Sequence, residues 1–122
     1  DQVENLLNDW LKSKSLFLAG KGEINISNIV EKKLIERLNE ERQIDINKNI
    51  TKSISTEIKN IEFVSQSSSR IAVLVRLKYS EKILDKKGDV VSETSFSPFL
   101  RVKYILGFSN KSWKLVDYVS GV

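Results

Sequence analysis

Near the start of the chain apolar side chains return every three or four positions. Val3, Leu6, Leu7, Trp10, Leu11, Phe17 and Leu18 share a stripe with Lys14, while Asp9, Lys12 and Ser13 fall elsewhere. That spacing predicts an amphipathic helix, ended by the glycines of Ala19-Gly20-Lys21-Gly22. A second stripe, Ile29, Val30, Leu34, Ile35 and Leu38, predicts a helix capped at Ser27 and fraying into the charged run 39–43. After residue 50 the period falls to two. Ile50, Ile54 and Ile58 lie on one parity, Ile61 and Phe63 on the other, so the first strand should carry a bulge near Lys59-Asn60. Residues 65–69 read as a turn, and Ile71, Val73, Val75, Leu77 and Tyr79 as the most regular strand. Residues 85–89 form a second turn in which Gly88 suits a positive φ. The last ribbon alternates Leu100, Val102, Tyr104 and Leu106 against Phe99, Arg101, Lys103 and Ile105. It breaks around Ser109–Ser112 and returns over Trp113–Val119. Pro98, the only proline, points to an edge or a bulge at its start.

Two helices followed by four sequentially paired strands predict an α+β domain. Its helices should pack on one face of a curved four-stranded antiparallel sheet. The 122 residues suit one domain, 1–122, with no internal repeat or linker. The chain opens at Asp1 without a methionine, which leads us to expect a segment of something longer. No stretch approaches the ~20 apolar residues of a membrane span, and the residues at the start of the segment do not lead us to expect a signal peptide within it.

Composition narrows the chemistry. With no cysteine and no histidine, thiolate nucleophiles, imidazole bases, disulfides and the usual zinc ligands are excluded, and no cofactor or metal is expected. The Ala19–Gly22 stretch lacks a phosphate-loop spacing and follows a helix, so it reads as a turn. Glu40, Glu41 and Asp45 read as a solvated face rather than an acid/base set. Charge is uneven: residues 1–45 hold seven Lys/Arg against nine Asp/Glu, and residues 46–122 hold thirteen against seven.

The basic half contains the candidate site. If Ile71, Val73, Val75 and Leu77, with Leu100, Val102, Tyr104 and Leu106, face the helices, the other face carries the opposite parity. That parity is Leu74, Arg76 and Lys78 on one strand and Phe99, Arg101, Lys103 and Ile105 on the next. Cations among apolar side chains suit an acidic or carboxylate-ended protein segment. The plainer alternative is a wet sheet face shielded by Lys and Arg stems. Stacking aromatics are too few for a nucleic-acid platform.

The helix VENLLNDWLKSKSLFLAG, the segment ISNIVEKKLIERL and the ending LRVKYILGFSNKSWKLVDYV together resemble a known family. It is the C-terminal, intermembrane-space-type domain of the J-domain-derived division proteins of plastids and cyanobacteria. Trp10 with Lys14, and Tyr104 with Trp113-Lys114-Leu115, carry most of the likeness. The chain departs from the family at Leu38, where a Trp is common, and at Lys32-Lys33, which replace a Gly-Pro-like turn. The resemblance implies a nuclear-transport-factor-2-like cone and a non-catalytic protein-interaction domain excised from a membrane-anchored division protein. It implies a place on the periplasmic or intermembrane-space side. The partner would be another division protein, offering a C-terminal or acidic segment, with membrane contact only through the parent chain. The sequence leaves two rivals open: a ligand-binding or isomerase-like enzyme on the same cone, needing a buried acid or base, and a module for acidic lipid headgroups. Oligomeric state is not legible.

Overall fold

The computed structural model describes residues 1–23 and 25–122. Helix α1 spans Gln2–Leu18. Asp1 caps it, its Oδ1 accepting from the Glu4 backbone N–H at 2.8 Å. Val3, Leu6, Leu7, Trp10, Leu11 and Leu18 form its buried stripe. Gly20, at φ 73°, turns the chain so that the Lys21 N–H reaches the Leu16 carbonyl at 2.9 Å.

Helix α2 spans Lys32–Asn47, starting later and ending later than its sequence pattern suggests. Ser27 is not its cap; Glu31 takes the N-cap position in extended conformation, without a side-chain hydrogen bond. Ile29 and Val30 have another task. The Leu115 N–H donates to the Ile29 carbonyl at 2.8 Å and the Glu31 N–H to the Leu115 carbonyl at 2.9 Å, so this segment covers part of the last strand's open edge. The run 39–43 stays helical because α2 is held further on, by Asp45 and Glu41 on Lys52.

Four antiparallel strands follow: β1 (Thr51–Gln66), β2 (Arg70–Leu84), β3 (Ser95–Ser109) and β4 (Ser112–Ser120), in that order across the sheet. The bulge expected near Lys59 is present, where the β1–β2 register shifts between Ile58 and Asn60. The turn between β3 and β4 uses Asn110 and Lys111, both left-handed at φ 50° and 65°. Pro98 sits in an interior strand and is accommodated by a bulge: Leu77 faces Leu100 but Tyr79 faces Ser97.

Both helices lie on one face, and the fold is α+β. The core joins the α1 stripe, Leu34 and Leu38 to Val73, Val75, Leu77, Val102, Tyr104, Leu106 and Leu115. Trp10 and Tyr104, two of the residues that carried the family resemblance, meet around Tyr118 in it. Tyr118 lies 5.9 Å from the Trp10 ring and 6.0 Å from Tyr104, and the Lys14 ammonium sits 5.2 Å from Tyr118 and 5.7 Å from Trp10. Such contacts tie α1 to the hairpin through apolar area and cation–π attraction.

Candidate functional site

Strand pairing settles which side chains share the face turned away from the helices. Directly opposed residues of an antiparallel pair point to the same side. Leu74 faces Lys103, Arg76 faces Arg101, and Ala72 faces Ile105. Their neighbours Val73, Val75, Val102 and Tyr104 are buried under the helices. The structure thus gathers Leu74, Arg76, Lys78, Arg101, Lys103 and Ile105 on the outer face. Phe99, inside the Pro98 bulge, is 68% exposed beside them.

Within this face Leu74, Lys103 and Ile105 are half-buried, Arg76, Lys78 and Arg101 exposed, and Ala72 buried although it is no part of the helix-side core. An apolar island therefore lies among the cations. Val119, opposite Lys103, extends it across β4.

The face includes more than the parity pattern identified. Arg70 stands opposite Gly107, and Gly107 opposite Lys114. A Cβ on Gly107 would lie 2.9 Å from both Arg70 Nη1 and Val116 Cγ2. Arg70 thus lays its guanidinium where a side chain would otherwise stand, against Val116. Phe96 joins the face at the other end, opposite Ser80 and 58% exposed, because the Pro98 bulge inverts parity before it. Pro98 was the one sequence signal that could have placed Phe96. Nothing local marks Arg70 or Val116, whose positions depend on cross-strand register and on a bulge in β4.

Electrostatics separate these cations from the rest. Among the described residues, ion pairs within 4.0 Å engage Lys32, Lys33, Arg37, Lys52 and Lys59, and none of Arg70, Arg76, Lys78, Arg101, Lys103 and Lys114. Arg76 and Arg101 are directly opposed like charges, a destabilising arrangement unless an anion lies between them. Of the neighbouring carboxylates, Glu62 stands opposite Leu74 on this face and, among the described residues, makes no ion pair within 4.0 Å, while two others are held elsewhere. Asp117, at the β4 bulge, is held by Arg37 at 3.4 Å and Lys33 at 4.0 Å, and Glu57, opposite Lys78, is held by Lys59 at 3.1 Å.

The helix-side face contains one surprise. Asp45 is not solvated, as its charged surroundings suggested, but 2% exposed, with Lys52 Nζ 3.4 Å from its Oδ2. Lys52 also donates to Glu41 at 2.8 Å. Burial alone would lower the Lys52 pKa; the Glu41 hydrogen bond and the two carboxylate charges outweigh it and raise it. Tyr79 and Tyr104 are both pushed up, chiefly by burial, and for Tyr79 also by donating to Glu81 at 2.8 Å. This buried acid is therefore charge-paired, and it lines neither of two open grooves, of about 540 and 530 Å³. Among the described residues no helix is long and apolar enough to cross a membrane.

Fold and face together define an α+β domain whose helices roof one side of a four-stranded meander and leave a cationic side open. The chain belongs to the ARC6-like, IMS domain family, whose model matches residues 3–116. It is thus a division-related domain. Its fold is similar to the crystal structure of the intermembrane space region of the chloroplast protein ARC6. The TM-score is 0.73 at 15% identity, covering 98% of this chain and 93% of that one. A search of curated protein sequences finds no match.

Proposed function

We propose that this chain is a non-catalytic protein-interaction domain of a cell or plastid division protein, and that its outer sheet face binds an anionic segment of another division protein. The domain would serve on the intermembrane-space or periplasmic side, as one part of a membrane-anchored chain. Family membership supports the division role. The observation that carries the binding reading is the Arg76–Arg101 pair, two opposed arginines with no carboxylate within 4.0 Å among the described residues, beside the half-buried Leu74 and Ile105. A carboxylate between them would gain charge-assisted hydrogen bonds and relieve their repulsion. Leu74 and Ile105 would exclude water beside it.

The test is binding of a Glu-rich peptide to the domain and to its Arg76→Glu/Arg101→Glu variant, followed by fluorescence anisotropy. The proposal expects binding that weakens with salt and is lost in the variant while the thermal transition persists. Equal binding by both proteins contradicts it.

A further inference from the structure

Resting on that reading, we infer that the outer face is a two-anchor clamp for an extended segment with acidic groups at both ends of a short apolar stretch. Arg76 and Arg101 form one anchor. The other is Arg70 with Lys114, at the opposite end of the same strands. Arg70 and Arg76 are six positions apart on β2, so the anchors stand about 20 Å apart at ~3.3 Å per residue. Ala72, Leu74, Ile105 and Val116 lie between them.

Four features argue that the second anchor is built rather than incidental. Gly107 leaves open the space that the Arg70 guanidinium occupies; any side chain there would meet it at 2.9 Å. Gly107 itself has an ordinary strand conformation, so no turn or positive φ explains the glycine. Lys114 is directly opposite Gly107, which places a second cation next to Arg70, and among the described residues neither has an ion pair. The one carboxylate of β4, Asp117, is drawn to Lys33 and Arg37 instead.

Charge complementarity selects the occupant. A second copy offering this same face would set mainly cation against cation, since the cations of β2, β3 and β4 outnumber Glu57 and Glu62 on β1. An extended acidic segment matches both ends, and its alternate apolar side chains meet the island at the two-residue period of the strands beneath. One acidic cluster reaches one anchor only; two clusters six residues apart reach both, and the second engages at high effective concentration.

The experiment uses two labelled peptides and fluorescence anisotropy. Peptide one is Glu-Glu-Ser-Val-Ser-Leu-Ser-Glu-Glu; peptide two replaces its final Glu-Glu by Ser-Ser. The inference expects peptide one to bind about 3- to 30-fold tighter than peptide two. The Arg70→Gln/Lys114→Gln variant should erase most of that difference and leave peptide two unchanged. Gly107→Ala should act in the same direction by displacing the guanidinium. Thermal melts of each variant distinguish lost binding from lost folding. Equal affinity for the two peptides, both lost in Arg76→Glu/Arg101→Glu, overturns the second anchor and leaves the proposed function standing. Binding indifferent to Arg76 and Arg101, or no binding of either peptide, overturns both.

Discussion

Arg101→Glu separates a structural arginine from one placed for a partner. In the folded protein Arg101 is exposed and directly opposite Arg76, and among the described residues it makes no ion pair. Replacing it by Glu turns an opposed like-charge pair into an opposed unlike pair. Cross-strand pairs of this kind contribute roughly 0.2–1 kcal/mol, and like charges oppose by a similar amount. The swing is then about 0.5–1.5 kcal/mol in favour of the folded state, less whatever is lost from contacts of the Arg stem. For a domain of this size that corresponds to a Tm rise of roughly 2–6 °C at low salt. Because both side chains are exposed, the gain should shrink as salt screens it. Calorimetry at low and high salt measures the effect. A clear loss of stability at both would refute the reasoning, since it would mean that the guanidinium supports the fold. The same substitution should abolish binding of an acidic peptide, so stability and binding move in opposite directions.

Other outcomes follow from the core and from the buried charges. Lys52→Met should destabilise by about 3 kcal/mol, because Asp45 would remain buried without its cation; denaturant titration reads this, and adding Asp45→Asn should recover part of it. Lys52, Tyr79 and Tyr104 all hold their protons more tightly when folded. Their contribution is therefore complete below their ordinary values of 10.5, 10.0 and 10.0 and is lost as pH rises through the folded ones. Tm measured against pH should fall in that alkaline range, and less steeply in Tyr104→Phe. Trp10→Ala, removing a ring 1% exposed and packed on Tyr118, should destabilise by about 3–5 kcal/mol and shift the midpoint of chemical unfolding accordingly. Gly107→Ala should destabilise by about 1 kcal/mol, as the new methyl presses on Val116 and outweighs the gain from losing a glycine, with the same midpoint as readout.

The architecture was legible because period is a local property. The α1 stripe, the parity change at Lys59 and the alternation along residues 71–77 and 100–106 each follow from neighbours a few positions away. The start of α2 was not. Ile29 and Val30 fit a helical stripe, yet they bind the edge at Leu115, a contact more than eighty residues distant. Asp45 was misread for the same reason. Its surroundings in sequence are charged, and only the return of Lys52 across from α2 buries it. On the outer face, alternation placed Arg76 and Arg101 together, since both lie on regular parity. Arg70, Lys114 and Phe96 needed the registers at Gly107 and at the Pro98 bulge, which composition does not encode locally.

Amide chemical-shift mapping of the ¹⁵N-labelled domain, titrated with the two-ended acidic peptide, tests the central claim most directly. The account predicts perturbations concentrated at residues 72–76 and 101–105 of β2 and β3, with little change along α1 and α2. Shifts concentrated on the helices, or on the groove lined by Asn5, Asn28 and Trp113, would contradict it.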